Sequence, residues 1–130
     1  MTLSALCIVV GTALHTLPAR SFTLRWEHTV EKIAWEEDYI VAGEWLYLSG
    51  ARVRGSGAGM EPPTSAVKQG DAWHYRPSQR WLRQLDLARS EFGLDYELCA
   101  DGRCRPLRTI APLGPTTLRP CAGGDQPARR

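Results

Sequence analysis

The side chains best equipped for chemistry stand in two stretches. In "WEHTVEKIAWEED", His28 could act as a general base or a metal ligand, with Glu31, Glu36, Glu37 and Asp38 supplying carboxylates nearby in sequence. In "ARVRGSGAGMEPP", Gly55, Gly57 and Gly59 could shape a nest of backbone N–H groups that holds an anion, with Arg52 or Arg54 adding positive charge. A dinucleotide fingerprint would need glycine where Met60 stands, and a phosphate loop of the Walker kind would need Gly-Lys followed by Ser or Thr. Ser56 is no nucleophile elbow, because Arg54 occupies the position two residues before it. The plainer reading of the glycines, and the preferred one, is an irregular loop that turns against a sheet, with Pro62-Pro63 fixing its exit.

These residues must be positioned by strands. "FTLRWEHTVE" alternates, with Phe22, Leu24, Trp26, His28 and Val30 on one side and Thr23, Arg25, Glu27, Thr29 and Glu31 on the other. "IAWEEDYIV" continues in the same way, and Glu37 shares a side with Ile33, Trp35, Tyr39 and Val41. His28 and Glu31 therefore point to opposite faces unless a bulge intervenes. Glu37 falls on a face that should be apolar and needs a partner there, for which His28, Arg52 and Arg54 are the natural choices. An internal ion pair or hydrogen-bonded cluster that pins strand register is favoured over catalysis. After a turn at Ala42-Gly43, "EWLYLSGARVR" gives a third extended run, so the three strands read as an antiparallel meander. Gly70-Asp71 marks a turn before a short strand through Trp73 and Tyr75. "SQRWLRQLDLARSEFG" places Trp81, Leu85, Ala88 and Phe92 at helical spacing, yet Leu85 and Leu87 alternate; its second half reads as strand, with one short helix as the alternative. Of the five tryptophans, Trp26 and Trp35 suit the core and Trp81 the surface.

A chain of 130 residues allows one domain with a modest core. Sixteen Lys plus Arg against fourteen Asp plus Glu leave a formal charge of +2, with the arginines scattered, which argues against a nucleic-acid partner. The uncharged apolar run Leu3 to Leu14, followed by Pro18, Ala19 and Ser21, fits a secretory leader over 1–21 with cleavage near 19–21. No Lys or Arg precedes that run, and the alternative is an apolar strand or helix packed on the domain. In the leader reading the β domain covers 22–110, residues 111–130 form a flexible Pro/Gly-rich tail, and no membrane span remains after cleavage.

"ELCADGRCRPL" centres the strong hairpin turn Asp101-Gly102 between two cysteines. In that register Ala100 faces Arg103, and Cys99 faces Cys104 as a non-hydrogen-bonded pair, the geometry for a disulfide that locks the hairpin. Cys7 would leave with the leader and Cys121 would be odd, free to take either of the other two sulfurs instead. A zinc site is the weaker rival, since the spacing is wrong and a second cysteine pair is absent. No metal, cofactor or catalytic set is expected.

Five ordered stretches, "WEHTVEKIAWEEDY", "ARVRGSGAGMEPP", "WHYRP", "LARSEF" and "DYELCADGRCRPL", together resemble the small exported bacterial family catalogued as domain-of-unknown-function eighteen-fifty. The resemblance spans about Phe22 to Leu107; Thr29 departs from it, where serine is expected, and keeps the hydroxyl. It implies an extracytoplasmic, periplasmic accessory of tripartite ATP-independent periplasmic (TRAP) transporters of the TAXI type, contacting the solute-binding protein or the membrane subunit. It carries over no catalytic residue. The expectation is therefore a mainly β domain, a small antiparallel sandwich or partly closed barrel, that works by protein contact. The alternative is a small anion- or metal-binding protein whose site draws on His28, Glu31, Glu37, Arg54, Ser56, Gly57 and Gly59. An enzyme is the least favoured class.

Overall fold

The structure, a computed structural model, describes residues 3–27, 33–54, 66–93 and 95–122. In chain order its strands are β1 (Leu3–Val10), β2 (Ala13–Leu17), β3 (Ser21–Glu27), β4 (Ala34–Ala42), β5 (Trp45–Arg54), β6 (Val67–Gln69), β7 (Ala72–Tyr75), β8 (Trp81–Leu82), β9 (Leu85–Leu87), β10 (Glu97–Ala100), β11 (Arg103–Pro106) and β12 (Thr116–Ala122). A 3-10 turn at Leu107–Thr109 is the only helical element among the described residues. Two antiparallel sheets result: a smaller one ordered β2-β1-β12-β9 and a larger one ordered β11-β10-β3-β4-β5-β7-β6, with β8 pairing to the other end of β5. Neither closes into a barrel, and the sandwich expectation stands.

The core forms where the inner faces meet. Leu6 and Ile8 of β1, Leu118 of β12 and Leu87 of β9 pack against Phe22, Leu24, Tyr39, Val41, Leu46, Leu48 and Leu98 of the larger sheet. Period-two alternation drives this arrangement, because every second side chain of a strand shares a face. The expected meander is present as β3-β4-β5, with Leu24 opposite Glu37 and Glu37 opposite Ala51. A bulge between Asp38 and Tyr39, facing Gly50 and Leu48, lets Ser49 stand out of register while Leu46, Leu48, Ala51 and Val53 all stay inward.

The hairpin at the cysteines matches its sequence reading. Ala100 pairs with Arg103 and Cys99 with Cys104, and the two sulfurs are joined at a Cα separation of 3.9 Å. Asp101 and Gly102 take φ of 53° and 76°, the left-handed pair that a two-residue turn needs. Gly70 and Asp71 also turn as expected, between Gln69 and Ala72. The turn after β4 lies one residue later than expected, at Gly43-Glu44, because Ala42 is already paired with Trp45. In the stretch 78–92 the strand reading prevails: β8 and β9 occupy it and the helical spacing is not used, since Leu82, Leu85 and Leu87 each find a place in a sheet or against the core.

The two ends of the chain pair with each other in the smaller sheet. The run read as a leader supplies β1, an interior strand of the smaller sheet, and β2 at its edge. Part of the stretch read as a flexible tail supplies β12, and Ala111 is buried before it. The physical reason is shared alternation: Leu6, Ile8 and Val10 stand opposite Pro120, Leu118 and Thr116 on the core side. On the other side of the same sheet Cys7 and Cys121 form a second disulfide, at 5.8 Å between Cα atoms. Cleavage near 19–21 would remove β1, β2 and one half of that bond.

Candidate functional site

The meander presents two chemically different faces. On the outer face, Glu97, Arg25, Glu36, Arg52 and His74 lie side by side in β10, β3, β4, β5 and β7. Glu36 accepts from Arg52 Nε at 2.7 Å and Arg54 Nε at 3.2 Å and forms an ion pair with Arg25 Nε at 3.2 Å. Arg25 continues the row to Glu97 at 3.1 Å and Arg54 to Asp71 at 3.0 Å. Arg52 also grips Asp38 with both terminal nitrogens, at 2.5 and 2.8 Å, while Thr23 donates to the same carboxylate at 2.6 Å. Arg52 holds the Asp38 carboxyl below its ordinary range, burial opposing and Thr23 assisting. At Glu36 burial works against ionisation, but hydrogen bonds and charge from Arg52 and Arg54 outweigh it and the group is lowered. This ladder alternates three arginines with four carboxylates and bonds four neighbouring strands together, so its effect is to fix register.

The inner face carries Glu37. Its carboxylate accepts from Tyr39 Oη at 2.5 Å, and burial raises its proton affinity, only partly offset by that bond. The tyrosine hydroxyl is held protonated in turn, by burial and by the adjacent carboxylate. Tyr75 and Tyr96 feel the same charge, after burial as the larger effect. Trp26 and Trp35 stack with centroids 6.3 Å apart and planes within 6°, and Tyr96 leans on Trp26 at 5.8 Å. Glu37 thus sits in an aromatic surround. The expected arginine partner is not found: Arg52 and Arg54 project to the outer face and are taken by Glu36, Asp38 and Asp71. The parity of β5 explains this, since Arg52 stands opposite Glu36 rather than Glu37.

Of the candidate ligand set, Glu37 and Arg54 are therefore on opposite faces and do not share a site. His28, Glu31, Ser56, Gly57 and Gly59 lie outside the described residues. Among the described residues no group of three or more His, Cys, Asp or Glu could hold a metal ion. Sequence reasoning missed the tyrosines around Glu37 and one further cluster. Arg89, within "LARSEF", is wholly enclosed and donates to Asp95, to the carbonyls of Ala111 and Pro112 and to Thr116 Oγ1. A lone arginine two residues after a buried leucine, with an aspartate six residues on, was the available signal.

Glu37→Gln is expected to raise the melting temperature at pH 8, with the gain fading toward pH 4. A carboxyl whose folded proton affinity is raised stabilises fully below its unfolded value and loses that contribution as pH rises through the folded one; the amide never charges. Thermal melts of both proteins across that range check it, and a variant less stable than the parent at pH 8 would contradict the assignment.

Fold and faces together define a small disulfide-bonded antiparallel β-sandwich with an ion-pair ladder outside and one carboxylate among aromatic rings inside. The family model described as Domain of unknown function (DUF1850) matches residues 22–107, and the chain belongs to that family. No curated protein and no solved structure matches it. The match begins within β3 and ends at the 3-10 turn, so it covers the larger sheet and β9 but leaves out β1, β2 and β12. Two disulfides are compatible with an exported protein. Among the described residues no helix is long and apolar enough to cross a membrane.

Proposed function

We propose that this chain is an extracytoplasmic, periplasmic accessory protein of a TAXI-type TRAP solute transport system and acts by contact with the solute-binding protein or a membrane subunit. The observation that carries the reading is an exposed aromatic patch at the outer end of the meander. Trp81, Ile40 and Trp45 are 54, 42 and 37% exposed. Tyr47 packs on Trp81 at 4.6 Å, Trp45 meets Trp81 edge-on, and the Arg83 guanidinium lies 4.3 Å over Trp45. Tryptophan, tyrosine and arginine are the residues enriched where proteins bind proteins, and here they are held rigid on strands. The ion-pair ladder on the same face of the meander offers a charged, hydrogen-bonding rim. The transporter as partner follows from the family resemblance.

Tagged protein incubated with membranes holding the intact transporter should co-purify a transporter subunit. Trp81→Ala should weaken that capture by about 2 kcal/mol, roughly thirtyfold, as for a central interface residue. Repeated failure of the parent protein to recover any subunit would sink the proposal.

A second reading, a small-ligand-binding protein in its own right, is favoured by a different observation: Glu37 is a half-buried carboxylate with no cation beside it among the described residues.

A further inference from the structure

Within β3, β4, β5 and β7, the residues sharing the inner face are Phe22, Leu24, Trp26, Trp35, Glu37, Tyr39, Val41, Leu46, Leu48, Ala51, Val53, Trp73 and Tyr75, and Glu37 is the charged one. An ionised carboxylate can accept about four hydrogen bonds. Tyr39 supplies one, and no arginine, lysine or histidine among the described residues pairs with it. Such a group taken out of water without a counter-charge is costly, and a bound cation would offset that cost. The groups around it are suited to the same task. Trp26 and Trp35 present parallel rings, Tyr96 leans on Trp26, and Tyr75 lies within reach of the Glu37 charge. Aromatic faces carry negative potential and attract ammonium groups, most strongly where water is partly excluded. Trp26, Trp35, Glu37, Tyr75 and Tyr96 are all only half-buried, so the cluster is within reach of solvent.

We propose that the inner face around Glu37 is a recognition site for a small organic cation, a protonated or quaternary amine held by the carboxylate and the rings of Trp26, Trp35, Tyr75 and Tyr96. The assignment rests on the second reading above and names its ligand class. An anion is disfavoured, because the nearby charge is negative and Arg52 and Arg54 face the other way. A divalent metal is disfavoured because the described residues hold no group of three or more His, Cys, Asp or Glu that could ligate one.

The experiment is a titration of the full chain with tetramethylammonium at constant ionic strength, read by tryptophan fluorescence and by calorimetry. Parallel arms use neutral tert-butanol, inorganic phosphate and magnesium ion. Saturable binding of tetramethylammonium is expected, with tert-butanol and Glu37→Gln each weaker by about tenfold or more. The amide keeps the size of the side chain and its bond from Tyr39, and its melting temperature reports that the variant is folded. Tyr75→Leu, which removes a ring and no charge, should weaken binding by a smaller factor. Equal affinity of the parent and Glu37→Gln for tetramethylammonium would overturn the proposal. Glu37-dependent binding of phosphate or magnesium without the ammonium would overturn the ligand class and leave the small-ligand reading standing. No binding by any probe would remove both.

Discussion

Replacing Cys7 and Cys121 together with alanine is expected to lower the melting temperature by about 15–20 °C, against about 8 °C for the matched change at Cys99 and Cys104. The difference follows from loop length. The first bond joins residues 114 apart in sequence, the second residues 5 apart. In the chain-entropy account the long closure removes about 5 kcal/mol of unfolded-state freedom and the short one about 2 kcal/mol. A domain of this size shifts by roughly 4 °C per kcal/mol. Both long-loop cysteines are buried, 1 and 3% exposed, so alanine leaves little unsatisfied in its place. Melts of the oxidised variants measure the order of the two effects, and an equal loss from both pairs would contradict it. The same bond tests the leader question. In protein taken from its native host and digested without reductant, a peptide containing Cys7 linked to one containing Cys121 would show that residues 1–21 stay with the fold. A chain that begins near residue 22 could not yield it.

How much was legible depended on whether a signal was local. The alternation within β3 and β4, the Asp101-Gly102 turn and the Cys99–Cys104 pairing are decided by neighbours in sequence, and each is found where the residues place it. The smaller sheet is decided by pairing between the two ends of the chain, β1 with β12, and nothing local in an uncharged apolar run separates an interior strand from a leader. Threonine and proline in "TTLRPCA" likewise read as loop until Leu118 has Ile8 to face. The candidate site divides in the same way. That Glu37 shares a face with Trp35 and Tyr39 was readable from parity alone. Its partner was not, because pairing Arg52 with Glu36 requires the offset between β4 and β5, and a bulge at Asp38 shifts that offset partway along. Tyr75 of β7 and Tyr96, just before β10, feel the Glu37 charge from segments later in the chain, so only the folded register brings them near it.

Arg89→Met is expected to cost about 3–5 kcal/mol, a large share of what a domain of this size has in total. The guanidinium side chain is 0% exposed and its Asp95 partner 3%. All five of its N–H groups are used: Nε and Nη2 on Asp95 at 2.8 and 3.1 Å, Nη1 on Pro112 O and Thr116 Oγ1, and Nη2 again on Ala111 O. It thereby ties the connection after β9 to the approach to β12, joining segments 22 to 27 residues apart. Methionine fills the space of the stem but takes the side-chain donors away from two carbonyls and from a buried carboxylate that keeps only backbone N–H partners and a distant Arg108. Arg89→Lys should recover little, since an ammonium cannot reproduce a planar fork of five donors. The pH dependence separates lost charge compensation from lost packing. In the parent protein burial opposes ionisation of Asp95, but Arg89 prevails and the carboxyl is lowered, so its stabilisation is present above the ordinary aspartate range and lost as pH falls through the folded value. Without Arg89 burial acts with less opposition, held back only by the backbone N–H groups of Tyr96 and Arg108, and the deficit of the variant should be greatest near pH 7 and shrink toward pH 4. Urea denaturation at both values measures it; a loss under about 1 kcal/mol, or one that does not change with pH, would show that the cluster is not what holds these segments together.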